Sequence, residues 1–406
     1  MKTPLSVAVV GVGGYGQTYL RMLLNPKLDL PVKMIAGIDP FAQSSPMYPD
    51  LVAAGIPLYD TLDAFYAEHT ADLVIISSPI HLHKPQSIYC MEHGSHVLCE
   101  KPVSATIDDV EEMIEARDRT GKLLNIGYQW SFSDAIHQLK ADILADKYGK
   151  ALRFKTIVLW PRSQDYYHRG SGWAAHKKTA GGDWILDSVA SNATAHYLHN
   201  MLYVSGKSMD RSARIEEIEV ETYRANPIEM FDTCALRAYT SEGAELLYLV
   251  SHAIASEEIR NPEFIYEFEK GTVVTQNMDG VCHVIGTLQD GTKIDYGDPF
   301  EGTGLKLQRT VEMILGQCEP ICGPEAASTH TKCINRIEEL IPDTPHFPED
   351  RVHYDEPTRI YYCEGLATLL SRCYEEWKLP SEAEPGSFFH AQKGIIGDYD
   401  HFTPAK

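Results

Sequence analysis

Over the first third of the chain, apolar positions come in solid blocks rather than alternating with polar ones. Ser6–Val12, "VKMIAGID" (32–39), "LVIISSP" (73–79), "HVLCEKP" (96–102) and "LLNIGYQ" (123–129) have strand length and the pattern of strands covered on both faces. Between them, Thr61–Glu68, Lys84–His93 and Ile107–Thr120 read as helices, the last opened by Thr106 with acids in its first turn. Strand and helix in strict turn predict a doubly wound parallel sheet.

From Lys150 the period changes. "ALRFKTIVLW", "IEEIEVETYR", "CALRAYT", "AELLYLVSHAI", "EFIYEFEKGTVVT", "CHVIGTLQ" and "KIDYG" read as strands, with hairpin signals at Glu242-Gly243, Lys270-Gly271 and Asp290-Gly291. They predict a mostly antiparallel sheet, so the fold class is α/β with a second, α+β domain. "AELLYLVSHAI" lacks polar alternation, which predicts burial on both faces: one under the domain's own helices, the other under a further cover. Three helices are expected near Gly304–Gly316, Pro324–Glu339 and Thr358–Lys378. The tail "GSFFHAQKGIIGDYDHFT" is too aromatic for a disordered end and packs on its own domain or on a neighbour.

The first strand enters "GVGGYG", with Gly11, Gly13 and Gly16 in G-x-G-x-x-G spacing, followed by the helical "QTYLRMLL". Strand, glycine turn and helix in this order form a dinucleotide-binding Rossmann unit. Gly11, Gly13, Gly14, Tyr15 and Gly16 cradle a pyrophosphate at the helix start. Asp39 ends the second strand, where a carboxylate accepts ribose hydroxyls and repels a 2′-phosphate. No Lys or Arg occurs from Met34 through His83, which predicts NAD rather than NADP. Ser78, Pro79, Glu100 and Lys101 also stand at carboxyl ends of strands, where such sheets collect ligands.

Composition narrows the partners. The 406 residues carry 57 acids against 36 bases, a formal charge of −21, which argues against nucleic acid and anionic membranes. No apolar stretch approaches a membrane span, and "MKTPLSVAVVGVGGYG" is no signal peptide. The nine cysteines are scattered, with Cys318 and Cys322 too isolated for zinc, so reduced thiols and a cytoplasmic protein without a bound metal are expected.

"VAVVGVGGYGQTYL", "ISSPIHLHKPQSIYCMEHGSHVLCEKPVS" and "NIGYQWSF" together resemble the Gfo/Idh/MocA family of glucose–fructose oxidoreductase and myo-inositol dehydrogenase. The resemblance is clear over about residues 5–210. It implies a Rossmann domain at 1–128, a substrate-binding and oligomerisation domain at 129–380 and a packed tail at 381–406. It also implies NAD-dependent hydride transfer to or from a secondary alcohol or carbonyl of a sugar, cyclitol or glycoside. A second subunit is the family's usual cover for the large sheet, which makes a homodimer or homotetramer.

The resemblance puts Lys101 beside the nicotinamide and the reacting oxygen, and matches His83 to the histidine after the third strand; Gln129 joins the cofactor residues. The family's second signature is a glycine pair, an Asp, and a His four residues later. Here the chain departs, reading "GGDWILDSVASNATAHYLHNMLYVSG". Counting back from Gly206 puts His196 at the histidine and Asn192 at the Asp; counting forward from the glycines puts Asp187 at the Asp and Ser191 at the histidine. The first register keeps the family's helix length, and whether Asp187 or Asn192 supports His196 stays open.

"WPRSQDYYHRGSGWAAHKKTAGG", from Trp160 to Gly182, has no regular pattern. Its aromatic faces and polar tips suit a hydroxylated ring, with Arg162, Tyr167 and Trp173 as substrate residues beside Lys101, Asn192 and His196. Oxidation of an alcohol needs a base for the hydroxyl proton. A desolvated Lys101 near a cationic nicotinamide serves, with His196 as proton carrier or the two roles exchanged. Two other classes fit the same residues: an NAD-dependent glycosidase or lyase that oxidises the ring transiently, and a non-catalytic dinucleotide sensor.

Overall fold

The five apolar runs of the first third form strands, joined by a sixth short one. A computed structural model describes residues 4–169, 172–301 and 304–404; residues 1–3 of the first domain, 170–171 of the irregular segment and 405–406 of the tail lie outside them. Strands β1 (Leu5–Val10), β2 (Val32–Ile38), β3 (Leu58–Tyr59), β4 (Leu73–Ile76), β5 (His96–Cys99) and β6 (Leu124–Ile126) make a parallel sheet in the order β3-β2-β1-β4-β5-β6. Val7, Val9, Leu73 and Ile75 face one side of it, with Tyr19, Leu20 and Leu51. Ala8, Val10, Val74 and Ile76 face the other, with Phe65, Met91, Val110 and Met113. Covering both faces is what removes polar residues from these strands.

The helices between them are α1 (Gly16–Leu23), α2 (Tyr48–Ala53), α3 (Leu62–Glu68), α4 (His83–Glu92) and α5 (Ile107–Thr120). Thr106 caps α5 by accepting from Asp109 N at 3.3 Å, and Gly121 ends it at φ +64°. The chain then continues through α6 (Asp134–Leu144), α7 (Gln164–Tyr167), α8 (Ala195–Val204), α9 (Leu305–Ile314), α10 (Pro324–Leu340), α11 (Leu366–Glu376) and α12 (Pro380–Ala383).

The second sheet contains β7 (Ala151–Leu159), β8 (Ile215–Tyr223), β9 (Thr233–Thr240), β10 (Glu245–Ser251), β11 (Arg260–Phe268), β12 (Gly271–Met278), β13 (Val281–Leu288) and β14 (Lys293–Gly297). A separate hairpin, β15 (Val352–Asp355) and β16 (Ile360–Cys363), precedes α11, and β17 (Gln392–Ile395) comes from the tail. The order is β14-β13-β12-β11-β7-β10-β9-β8-β17, antiparallel except for the parallel pair β7–β10.

Four features correct or extend the sequence reading. Thr358–Lys378 is helical only from Leu366, because Ile360–Cys363 pairs as β16. Helix α9, assigned to the second domain, packs Leu307 and Val311 into the first sheet's core beside Val7 and Val9. The short α1 and α2, 8 and 6 residues long, leave that face room for it. The β12–β13 hairpin turns at Asp279-Gly280, both at positive φ, a turn signal the strand reading passed over.

The fourth concerns β10. Its Leu246, Tyr248 and Val250 join the core that contains α8, while Leu247 and Leu249 pack on Leu366, Leu370, Cys373, Tyr374 and Phe389. This chain's own α11 and the segment after it therefore cover the face for which a second subunit was expected. The tail packs on its own chain as well: β17 extends the sheet beside β8, and Phe402 N donates to Asp108 Oδ2 at 3.0 Å on α5. Among the described residues no helix is long and apolar enough to cross a membrane.

Candidate active site

The glycine loop has the geometry its spacing predicts. Gly11 sits at φ +82°, and a Cβ there would lie 2.7 Å from Ser77 O; a Cβ on Gly16 would lie 1.9 Å from Gly11 O. These two glycines let α1 close on the strand ends, whereas the Cβ positions of Gly13 and Gly14 face open space. The first turn of α1 carries no side-chain cap and no acidic residue, so its N–H groups are left for an anion. Asp39 accepts from Val12 N at 3.0 Å and Phe41 N at 2.8 Å, which ties the end of β2 to the loop. Each carboxylate oxygen keeps a lone pair for a ribose hydroxyl. A dinucleotide fits this cradle.

The remaining cofactor-side residues divide. Tyr15 is exposed and donates to Gln129 Oε1 at 3.4 Å, and Ser78, next to Pro79, donates to Gln86 Oε1 at 2.5 Å; these line the crevice. His83 is buried, with Nδ1 2.8 Å from Pro102 O and Nε2 3.0 Å from Ser78 O. It staples the exits of β4 and β5, and both ring nitrogens are taken. Glu100 is buried too, accepting from Tyr19 Oη at 2.6 Å and paired with Lys306 of α9. Both are expected to contact the cofactor, and within the chain internal partners hold each of them in place.

Lys101 leaves β5 through a cis peptide to Pro102 and reaches the second domain. Its Nζ donates to Asn192 O at 2.8 Å and to Asn192 Oδ1 at 2.7 Å. Asn192 Nδ2 donates to Asp187 Oδ1 at 2.8 Å, and Asp187 Oδ2 accepts from Ala175 N at 2.7 Å. The two alternatives for the family's Asp are thus consecutive members of one chain that ends on Lys101. A π-helical turn at Val189–Ala193 makes this possible, and Ser188 and Ser191 cap each other's backbone N–H groups at its start.

Burial lowers the Lys101 pKa to about 8; Glu100 and Asp187 oppose the shift, while Lys306 and Arg169 add to it. Burial raises the pKa of Asp187. His196 stands beside the ring of Tyr128 at 5.9 Å, and its Nδ1 is buried without a partner among the described residues. Burial first, then the charge of Lys101, drives its pKa well down. Neither Asp187 nor Asn192 hydrogen-bonds His196; both serve Lys101 instead.

Three participants had escaped the sequence reading. Lys306 carries no motif and is 206 residues away from its partner Glu100. His330 of α10 lies with Nδ1 3.0 Å from Tyr128 Oη and Nε2 3.0 Å from Ala190 O, which holds the π-turn from behind. Arg169 places its guanidinium 3.7 Å from the ring centre of Tyr166 and 3.8 Å from Asp187 Oδ2. Of the expected substrate residues, Arg162 lies 5.1 Å from the same Tyr166 ring. Trp173 is half-buried against Ile80, Ala105 and Ile185. Tyr167 is buried, its hydroxyl 3.4 Å from His252 Nδ1, and it supports the segment from beneath. Among the described residues no three His, Cys, Asp or Glu side chains converge as a metal site.

Residues 5–128 match a family described as an oxidoreductase family with an NAD-binding Rossmann fold, Gfo/Idh/MocA. The chain is 30% identical over 153 residues to inositol 2-dehydrogenase of Rhodococcus jostii (strain RHA1), 36% of this chain and 40% of that protein. It is 26% identical over 232 residues to 1,5-anhydro-D-fructose reductase of Ensifer adhaerens, 54% of this chain and 66% of that protein. Both matches span less than two thirds of the relative's own length. The WlbA dehydrogenase of Bordetella pertussis, solved with NADH and UDP-GlcNAcA, shares the fold at TM-score 0.66 and 20% identity, over 82% of this chain and 95% of that one. The likeness to the Gfo/Idh/MocA oxidoreductase family is thus carried by residues 5–128, the NAD-binding Rossmann part of the chain.

Proposed function

We propose that the protein is an NAD-dependent oxidoreductase moving hydride between nicotinamide and a secondary alcohol or carbonyl of a sugar, cyclitol or glycoside. The observation that carries this is Lys101: a strand-end ammonium beside the cofactor cradle, fixed by two bonds to Asn192 and brought to a pKa of about 8. Bound NAD supplies the two-electron chemistry. Gly11 and Gly16 shape the loop that receives its pyrophosphate, and Asp39 selects the ribose without a 2′-phosphate.

Near neutral pH a lysine with that pKa is populated in both protonation states. In the oxidative direction its neutral amine takes the hydroxyl proton; in the reductive direction its ammonium returns one to the carbonyl oxygen. Asn192 holds Nζ in place through Oδ1 and its own carbonyl, and Asp187 fixes the Asn192 amide. His196 is held neutral and offers a second proton carrier on the α8 side. All nine cysteines are free, in keeping with a cytoplasmic enzyme.

The test is NADH titration of purified protein, followed by turnover of cyclitols, neutral sugars, uronic acids and sugar phosphates with NAD. Absence of NADH binding would overturn the proposal. The homodimer or homotetramer that the resemblance implies belongs to the same proposal, and light scattering decides it.

A further inference from the structure

We infer that the ring this site accepts carries an oxyanion, a carboxylate or a phosphate, and that Arg162 and Arg169 receive it. The inference rests on the oxidoreductase assignment and names the substrate class within it.

Both guanidiniums stand on the segment between β7 and the π-turn, and Tyr166 lies between their reaches. Its ring centre is 3.7 Å from the guanidinium carbon of Arg169 and 5.1 Å from that of Arg162. The far sides rest on Trp173 at 5.1 Å and Trp160 at 5.4 Å. Stacking on aromatic faces orients a guanidinium but leaves its in-plane N–H donors unsatisfied.

Among the described residues those donors have no carboxylate within hydrogen-bond range. Among the described residues Arg162 donates only to Pro161 O, at 3.3 Å, and its Nε is buried with no partner. Arg169 donates to Tyr166 O, and its closest carboxylate oxygen, Asp187 Oδ2, is 3.8 Å away, beyond hydrogen-bond range. That oxygen already accepts from Ala175 N. Behind the pair, His252 is buried with Nε2 unpartnered among the described residues. Burial, and then the charges of Arg162 and Arg169, drive its pKa well down.

The charge count around the reacting centre is the second argument. Glu100 and Lys306 neutralise each other, and the buried Asp232 carboxylate is held by Ala225 N, Asn226 and Thr233, which leaves Asp187 facing Lys101, Arg169 and Arg162. The chain as a whole carries −21, so two half-buried arginines whose nearest carboxylate oxygen is Asp187 Oδ2, 3.8 Å from Arg169, stand out against its composition. Partly desolvated cations are costly without an anion, and a planar fork suits a carboxylate or phosphate bidentately. A neutral ring would leave this charge uncompensated; an anionic one completes it. Arg169 also helps lower the pKa of Lys101, and its guanidinium stands 3.8 Å from the Asp187 carboxylate that fixes Asn192.

The test uses NAD-loaded protein and calorimetric binding of four probes: D-glucuronate, D-glucose 6-phosphate, D-glucose and inorganic phosphate. The acidic probes are expected to bind at least about tenfold more tightly than D-glucose, with the advantage shrinking as salt rises. Glucuronate against glucose 6-phosphate identifies the oxyanion, and inorganic phosphate shows whether the anion alone suffices. Arg162→Met and Arg169→Met are expected to abolish the acidic advantage while NADH affinity stays at the parent value. Equal binding of acidic and neutral probes by the parent, or equal losses for both in the Arg variants, would overturn the inference. NADH titration separates the two readings: a protein that fails to bind NADH sinks the oxidoreductase assignment, whereas one that binds NADH but shows no acidic preference sinks only this inference.

Discussion

Glu100 and Lys306 form a buried ion pair that joins the end of β5 to α9, 206 residues later, through Oε1, while Glu100 Oε2 accepts from the backbone N of its neighbour Lys101 at 3.3 Å. Tyr19 donates to the same Oε1 at 2.6 Å, and Lys306 lies 4.5 Å from the ring centre of Tyr15. Adjacent charges at a strand end thereby take separate tasks. Glu100 anchors a helix of the second half to the first sheet, and Lys101 is left to Asn192.

Breaking the pair exposes its structural share. Lys306→Met leaves a buried carboxylate unpaired and is expected to cost about 3–5 kcal/mol in urea unfolding. Adding Glu100→Gln removes the stranded charge and is expected to recover most of that loss. If the double variant is no more stable than the single one, the pair is not what holds α9 in place.

The lowered pKa of Lys101 has a direct kinetic signature. Oxidation of an alcohol uses the neutral amine, so kcat/KM in that direction is expected to rise with pH and level off above about 8. Reduction uses the ammonium and is expected to fall through the same point. Arg169 depresses this pKa, so Arg169→Met moves both inflections to higher pH. Lys101→Ala is expected to keep the fold and NADH affinity while lowering turnover about a hundredfold to ten-thousandfold. An alanine variant as active as the parent would remove Lys101 from the mechanism.

Local pattern made the first sheet readable, because each apolar run is buried on both faces in the same domain. Ile107–Thr120 agrees to the residue, since Thr106 and Gly121 mark its ends chemically. What escaped depends on contacts distant in sequence. Nothing around Lys306 announces Glu100, and nothing in "AELLYLVSHAI" distinguishes a cover by α11 from a cover by another subunit. The register between Asp187 and Asn192 was ambiguous for a physical reason. A π-turn inserts residues without breaking the helical path, so both counts land on a polar side chain that belongs to the site.

Asp39 is expected to govern cofactor choice. Its carboxylate closes the ribose end of the cradle and holds Val12 N and Phe41 N. Phe41, 71% exposed, stands two residues beyond it without a core contact to lose. Asp39→Ser with Phe41→Arg removes the repulsion and adds a cation for a 2′-phosphate, so the NADH to NADPH affinity ratio is expected to fall at least about tenfold. Fluorescence titration with both cofactors measures it, and an unchanged ratio would place discrimination elsewhere.

Asp187 and Asn192 act on Lys101 in different ways, and two substitutions separate them. Asn192→Ala removes the Oδ1 acceptor of Nζ but keeps the main-chain carbonyl and the Asp187 charge. Lys101 loses orientation more than electrostatic support, so kcat is expected to drop about tenfold to a hundredfold with the oxidative inflection still near 8. Asp187→Asn keeps the shape and removes a negative charge that raises the Lys101 pKa. Its inflection is expected to move to lower pH, because the neutral amine forms more readily without that carboxylate. Neither residue hydrogen-bonds His196, so His196→Ala should combine additively with Asn192→Ala in log kcat, whereas Lys101→Ala should mask Asn192→Ala almost completely. Strong coupling of Asn192 to His196, with none to Lys101, would return the pair to the role that the family pattern implies.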